Sequence, residues 1–357
     1  MLPAGTFPRS WSGAAHVATC VVSLETDAGL QGLGFCVSDA CAQIERLALG
    51  LLAGKDPRGV VGHWQRMMDR AAGHDDGGAA YAAIAALDLA LWDLKAKSND
   101  EPLWKTFGGL RPRVNVHAGA CDPSANGGVF ADWYGGMARD FGFRGAVVHA
   151  GPDSHADARR LEVVRETLLE HTAEPALMID LGERFTPKDA ARRVRELEQT
   201  YDLAFVQDPA RRHDSAGLKR VSNSIRAAVC SGGRLAIPAH YLAHFHAHAL
   251  DVVQLGVWSG GVTAALQIAD TAYGFELPVV LTDSPGNLHA HLAAAMPYCM
   301  SMEVCDPFAA GSVLESDVRI EDGRAIAGDR PGHGLSIDPQ AFAHARATSK
   351  RAAVSDQ

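Results

Sequence analysis

From residue 113 onward, the sequence alternates between short β-branched runs and longer amphipathic stretches, and this pattern constrains the fold more than any other. Strands that alternate with helices in this way are parallel and are joined by crossover helices. Eight strand candidates with seven intervening helices favour a closed barrel over an open doubly wound sheet, and no GxGxxG motif follows an early strand to favour the open sheet. The predicted strands are Val114–Ala118, Gly145–His149, Ala176–Asp180, Leu203–Gln207, Ala227–Cys230, Val252–Val257, Pro278–Leu281 and Cys299–Val304.

A smaller unit is predicted before the barrel. Residues 17–24 form a β-branched run that a glycine-containing turn follows, and residues 40–71 have a helical pattern. In residues 79–97 the apolar side chains recur at helical spacing, and Asp88 and Asp93 interrupt an otherwise apolar surface. A chain of 357 residues is long enough for a barrel of ~250 residues together with such a unit.

Composition narrows the class of protein. The formal net charge of -9 gives no electrostatic support to nucleic-acid binding. No apolar run reaches the ~20 residues that a membrane helix needs, and the N-terminus lacks the pattern of a signal peptide. The seven cysteines include no CxxC pair, which favours reduced, mostly buried thiols. We therefore predict a cytoplasmic protein that binds neither nucleic acid nor membrane.

Several stretches are similar to one known family. They are VSLETDAGLQGLG at residues 22–34, AIAALDLALWDLKAKSNDEPLWKTFGG at 83–109, MIDLGERF at 178–185, FVQDP at 205–209, SGGVTAALQIADTAYGF at 259–275 and PGHG at 331–334. Together they resemble the mandelate racemase and muconate-lactonizing branch of the enolase superfamily. The resemblance implies an α/β fold with a modified (β/α)7β TIM-type barrel and an α+β capping domain. It assigns residues 1–112 to the cap, 113–305 to the barrel, and 306–357 to a C-terminal segment that returns to the cap.

The N-terminal segment departs from the family pattern, in which an additional strand precedes the first flexible loop. Here the chain begins close to that loop, so either the capping sheet lacks its first strand or the native chain begins earlier. In the family this loop closes over the active site. The resemblance therefore implies that Arg9, Trp11 and His16 bind substrate.

The resemblance also implies a metal site. Family members abstract a proton alpha to a carboxylate, and a Mg²⁺ ion held by three carboxylates neutralises the developing charge. These ligands lie at the ends of the third, fourth and fifth barrel strands, where this sequence has Asp180, Gln207 and Gly233. Glutamine brings no charge and glycine has no side chain, so we expect either no cofactor or weakly bound Mg²⁺.

Arg234 follows the position that lacks a ligand. Its guanidinium could take the place of the metal, pair with Asp180 and bind a substrate carboxylate. The alternative is an arginine that lies on the rim of the barrel in contact with solvent. We predict Arg234 as a substrate-binding residue.

The acid–base positions differ from the family as well. His149 matches a basic lysine of the second strand and titrates near neutrality, although a structural histidine is the alternative. On the opposite side the family uses an Asp on strand six and a His on strand seven. Strand six here has no acid, and Thr282 or Asp283 falls at the histidine position. Glu303 matches the acid of strand eight. We predict His149, Asp283 and Glu303 as catalytic residues and Thr282 as a substrate-binding residue.

Three functions remain open at this point. The first is a diverged isomerase or lyase (a racemase, dehydratase or cycloisomerase) that acts on a small carboxylate or acid sugar with little or no Mg²⁺ dependence. The second is a catalytically retired paralogue that binds a metabolite or a partner protein. The third is ordinary Mg²⁺-dependent family chemistry at a weakened metal site. The predicted ligand is a small carboxylate, and the resemblance implies a homo-oligomer.

Overall fold

The structure, a computed structural model, describes residues 5–7, 17–37, 40–72, 77–119, 127–305 and 313–343. Its strands are β1 (Gly5–Phe7), β2 (Val17–Glu25), β3 (Gln31–Val37), β4 (Arg113–Ala118), β5 (Gly145–His149), β6 (Ala176–Asp180), β7 (Leu203–Gln207), β8 (Ala228–Ser231), β9 (Val252–Leu255), β10 (Val279–Leu281), β11 (Cys299–Val304), β12 (Leu314–Glu315), β13 (Arg319–Glu321), β14 (Arg324–Ile326) and β15 (Ser336–Ile337). Its α-helices are α1 (Cys41–Leu47), α2 (Val60–Ala72), α3 (Gly77–Ser98), α4 (Leu103–Thr106), α5 (Gly127–Phe141), α6 (Ser154–Leu169), α7 (Pro187–Leu197), α8 (Ser215–Ser222), α9 (Pro238–His246), α10 (Gly261–Gly274) and α11 (His289–Ala293).

The barrel is a closed parallel sheet. Strands β4 to β11 pair in chain order, and β11 pairs with β4 to close the ring. A helix connects each strand to the next, from α5 after β4 to α11 before β11. The predicted (β/α)7β barrel is thus confirmed, and β5, β6, β7 and β11 begin and end at the predicted residues.

Alternate side chains of these strands fill the interior of the barrel. The inner cluster consists of Val147, Met178, Phe205, Cys230, Val252 and Val280. The intervening residues, such as Val148 and Ile179, belong to the larger core that includes the surrounding helices. Because side chains alternate in direction along a strand, the last inward residues of β5, β6 and β7 are His149, Asp180 and Gln207. The strand pattern therefore places these three side chains at the carboxyl end of the barrel, where such folds carry their sites.

The capping sheet has three antiparallel strands. Gly5–Phe7 pairs with the start of β2, and β2 pairs with β3 along its length. Gly5–Phe7 thus forms a short strand before β2, and the two alternatives stated above for the N-terminal segment stay predictions. A side chain at Gly34 would overlap the carbonyl of Ala86, so glycine allows β3 to lie directly against α3.

The two acids of the signature helix α3 join the cap to the rest of the molecule. Asp88 accepts hydrogen bonds from the backbone N–H (2.8 Å) and the hydroxyl (2.7 Å) of Thr263 in α10. Asp93 accepts from the N–H of Leu33 in β3 and from the N–H of His333 in the PGHG turn. Both carboxyl groups are fully buried, so Asp88 holds the cap to the barrel, and Asp93 holds α3 to β3 and to the C-terminal segment.

The C-terminal residues contact the barrel as well as the cap. The β13–β14 hairpin pairs antiparallel with β4, while β12 pairs with β15. The PGHG turn reaches α3 through Asp93, as described above. Among the residues described, no helix has the length and apolar character needed to cross a bilayer.

Candidate active site

The ends of β5 and β6 bring a histidine and a carboxylate together. His149 and Asp180 are register partners on these adjacent strands. Nδ1 of His149 lies 2.9 Å from Oδ2 of Asp180, with 39% of the His149 side chain exposed against 18% of Asp180. The other oxygen, Oδ1, accepts the N–H of Gly182 at 2.7 Å. Both carboxylate oxygens are therefore held by the protein, and the imidazole remains open to solvent.

Arg234 does not take part in the pair of His149 and Asp180. The preceding Gly232 has φ of 121° and packs against the ring of Tyr241, and the turn leaves Arg234 exposed. Asp180 pairs with His149 instead of with a guanidinium. Of the two alternatives for Arg234, the structure thus shows the exposed arginine and not the pair with Asp180. Its binding of a substrate carboxylate stays a prediction.

The remaining family ligand positions offer one oxygen and no charge. Gln207 is buried, and its Oε1 has no hydrogen-bond partner within the described part of the chain. A Cβ built on Gly233 would lie 2.7 Å from Oε1 of Gln254 and 2.9 Å from Cγ2 of Thr282. Neighbouring side chains thus fill the space that a ligand at position 233 would need. Across the described ranges, no group of three or more His, Cys, Asp or Glu residues is arranged to hold a metal ion.

Thr282 faces the interior on the opposite wall of the barrel. It follows β10 directly, and its Oγ1 is buried without a hydrogen-bond partner among the residues described. A Cβ built on Gly256 would lie 2.7 Å from this oxygen. Asp283 is turned differently, and its Oδ1 accepts the N–H of Cys305 at 3.0 Å, just beyond β11. Of the two candidates for the family histidine position, Thr282 is therefore the one whose hydroxyl lies against Gly256 in the interior, and the catalytic role of Asp283 stays a prediction.

His289 supports this wall, and the sequence analysis did not single it out. Its Nδ1 lies 2.6 Å from the carbonyl oxygen of Thr282, and its Nε2 accepts the N–H of Val257 at 3.3 Å. Burial lowers the pKa of His289 to about 4, so the ring is neutral and donates through Nδ1. The signal in the sequence was a histidine that opens the largely apolar helix α11.

Glu303 lies on the same interior as Asp180. It pairs in register with His117 on β4, and its Oε1 lies 4.0 Å from Sγ of Cys305. Burial raises the pKa of the Cys230 thiol inside the barrel, and the negative charges of Asp208, Glu303 and Asp180 raise it further. The carboxylates of Asp180 on β6 and Glu303 on β11 thus lie at the same barrel interior.

Asp208, next to Gln207, is directed away from this interior. It accepts a hydrogen bond of 2.5 Å from the hydroxyl of Ser231, whose neighbour Cys230 points inward. Burial raises the pKa of Asp208 to about 6. Its side chain therefore follows the alternation of the strand. Arg9, Trp11 and His16, predicted to bind substrate, lie outside the described residues.

Comparison with known proteins gives consistent matches. Residues 9–108 match the family described as mandelate racemase / muconate lactonizing enzyme, N-terminal domain, and residues 131–341 match enolase C-terminal domain-like. The chain is 31% identical over 334 residues to the 3,6-anhydro-alpha-L-galactonate cycloisomerase of Streptomyces coelicolor, covering 89% of this chain and 88% of that protein. It is 27% identical to the L-talarate/galactarate dehydratase of Salmonella typhimurium, covering 91% and 82%. A crystal structure of a racemase from Streptomyces coelicolor with bound magnesium superposes with a TM-score of 0.86 at 26% identity, covering 96% of this chain and 97% of that one.

Proposed function

Because the chain belongs to the mandelate racemase and muconate-lactonizing group of the enolase superfamily, we propose that it is a lyase that dehydrates a small acid sugar. The observation that carries the proposal is the pair formed by His149 and Asp180 at the mouth of the barrel. The substrate class follows relatives that include a dehydratase and a cycloisomerase of sugar acids. The choice of dehydration rests on the geometry of the site.

His149 is the base in this proposal. With its Nδ1–H donated to Oδ2 of Asp180, the neutral ring has Nε2 free as a proton acceptor. The N–H of Gly182 fixes the other carboxylate oxygen, so the orientation of the ring is set before substrate binds. Asp180 also stabilises the imidazolium that forms when Nε2 takes the α-proton, as the carboxylate of a catalytic triad does.

The opposite wall explains why dehydration is favoured over racemisation. Racemisation by proton transfer needs an acid–base group on each face of the substrate, whereas among the described residues the ends of the facing strands β9 and β10 carry Gly256 and Thr282. Neither side chain titrates in the neutral range. Elimination needs only one group, because protonated His149 can return its proton to a β-hydroxyl on the same face of the substrate. The hydroxyl then leaves as a water molecule. The enol that remains then becomes an α-keto acid.

The substrate carboxylate is held by two residues in the proposal. Glu303 lies near the end of β11, and the resemblance assigns to it a hydrogen bond with the substrate carboxylate. Arg234 is exposed one residue after Gly233 and provides a positive charge near the rim. Asp283, whose carboxylate holds the amide of Cys305, shapes the end of β11.

Mg²⁺ is at most weakly bound in this proposal. A magnesium site needs several hard, charged oxygen ligands, but Asp180 is engaged by His149 and Gln207 is neutral. The space beside Gly233 is filled by Gln254 and Thr282, so these residues do not fit a three-carboxylate site. The related racemase from Streptomyces coelicolor has bound magnesium, so the relatives lend no support to a cofactor-free family member. The buried, unpartnered Oε1 of Gln207 is the feature that favours a weak site.

A screen of acid sugars tests the function. The wild type, His149→Asn and the matched surface variant His155→Asn are incubated with each acid, and α-keto acid formation is followed. We expect one or more acids to be turned over by the wild type and His155→Asn, and turnover to fall by about 10²–10⁴-fold in His149→Asn. If no acid is consumed but one of them raises the melting temperature, the protein is a binding paralogue and the proposal fails.

The metal requirement is tested on the same reaction. Turnover is measured after chelator treatment and again after addition of Mg²⁺, together with calorimetric titration of the protein with Mg²⁺ alone. We expect weak Mg²⁺ binding and little loss of turnover with chelator. Complete loss of turnover that Mg²⁺ restores would instead support ordinary metal-dependent family chemistry.

A further inference from the structure

Three thiols meet in the cap. Cys20 on β2 and Cys36 on β3 face each other across the antiparallel pair, and both are buried. Cys41, the first residue of α1, is half-buried. Its Sγ lies 2.8 Å from Sγ of Cys20. Two sulfur atoms are thus already in contact although their residues are 21 positions apart in the chain.

We propose that Cys20 and Cys41 form a site of reversible oxidation, at which a hydroperoxide converts the two thiols into a disulfide. A disulfide bond is about 2.05 Å long, so a movement of less than ~1 Å brings these sulfur atoms to bonding distance. Cys36 is buried, so solvent does not reach its thiol. The contact of 2.8 Å between the two Sγ atoms selects Cys41 as the partner of Cys20. This inference does not depend on the proposed lyase activity.

The order of the reaction follows from exposure. Cys41 is reached by solvent, whereas Cys20 is fully buried, and its contact with Cys36 together with burial holds the pKa of Cys20 well above its usual range. The thiolate of Cys41 therefore reacts first: a sulfur–oxygen bond forms, the oxygen–oxygen bond of the hydroperoxide breaks, and an alcohol or water leaves. Cys20 then attacks the sulfenic acid, the sulfur–oxygen bond breaks, and its own proton leaves with the hydroxide as water. Two thiols and one hydroperoxide give one disulfide, one alcohol and one water.

Mass spectrometry of the full-length protein tests the site. Native protein is treated with hydrogen peroxide, remaining thiols are alkylated, and the chain is digested with a protease that cleaves after Glu and Asp. Cleavage after Glu25 and Asp39 places Cys20, Cys36 and Cys41 on three different peptides, whereas trypsin would leave all three on residues 10–46. We expect a cross-linked pair of the Cys20 and Cys41 peptides, two mass units below their sum, that a thiol reductant separates.

Variants define the pair. Cys41→Ser should abolish the cross-link, while Cys36→Ser and the distant control Cys299→Ser should retain it, with each variant checked for an unchanged melting temperature. Three results overturn the proposal: a link between Cys20 and Cys36, oxidation of Cys41 to sulfinic acid without a link, or full alkylation of Cys41 after peroxide treatment. Because the main measurement uses the wild type, poor folding of a variant does not obscure the outcome.

Discussion

A Cβ built on Gly233 would lie 2.7 Å from Oε1 of Gln254, so the residue that lacks a ligand side chain and the residue that fills its space are in direct contact. Gln254 and Thr282 occupy the space beside Gly233, the predicted third ligand position. A carboxylate side chain at position 233 therefore requires a second change, at Gln254.

The first prediction concerns this pair. Gly233→Glu alone should destabilise the fold by about 1–3 kcal/mol, because the new side chain overlaps Gln254 and Thr282, and it should not tighten Mg²⁺ binding. Gly233→Glu combined with Gln254→Ala should recover stability and bind Mg²⁺ at least about tenfold more tightly than the wild type, since a charged ligand is added. Melting temperature and calorimetric titration measure both effects, with Gln254→Ala as the control. Equal Mg²⁺ affinity in the single and double variants would show that Gln254 does not block the site.

A second prediction concerns the orientation of His149. Asp180→Asn removes the negative charge beside Nδ1 and can reverse the hydrogen bond, which leaves the proton on the wrong nitrogen of the ring. We expect kcat to fall by about 10²–10⁴-fold, with a smaller change in KM. The exposed Asp202→Asn is the matched control for charge and should keep wild-type turnover. A KM effect alone, with kcat unchanged, would assign Asp180 to substrate binding rather than to the base.

The positions of the barrel strands could be predicted from the sequence because each is a short apolar run with polar residues at its ends. The contact between His149 and Asp180 could not, because it depends on the register of two strands separated by helix α6. For Arg234 the sequence left two alternatives open, and the structure shows the exposed arginine, because a residue pattern does not reveal the direction of a side chain that follows a glycine turn.

A third prediction concerns Asp93, which joins α3 to β3 and to the C-terminal segment. Asp93→Ala leaves the buried N–H groups of Leu33 and His333 without their acceptor and removes one of the two acceptors of the Lys97 ammonium. We expect a loss of about 2–4 kcal/mol in the free energy of unfolding, since unsatisfied buried donors are costly. Asp93→Asn keeps one acceptor oxygen and should lose less. Thermal or urea denaturation of the three proteins measures the order, and an alanine variant as stable as the wild type would contradict it.

The fourth prediction is a pH dependence of stability that comes from Asp88. Burial raises the pKa of Asp88 from its usual 3.8 to about 7, although the hydrogen bonds from Thr263 oppose this shift. The folded protein thus binds the proton more tightly than the unfolded chain. The contribution of this group to folding is fully present below about pH 4 and is lost as pH rises towards and through 7.

Asp88→Asn has no such titration and keeps an oxygen that accepts from Thr263. The free energy of unfolding of Asp88→Asn, relative to that of the wild type, should be lowest near pH 4.5. It should rise by several kcal/mol by pH 8, because one pKa unit corresponds to about 1.4 kcal/mol. The measurement is the melting temperature of both proteins at these two pH values, with the exposed Asp270→Asn on α10 as the control. If the difference between Asp88→Asn and the wild type is the same at both pH values, Asp88 is ionised throughout, and the hydrogen bonds from Thr263 outweigh the cost of its burial.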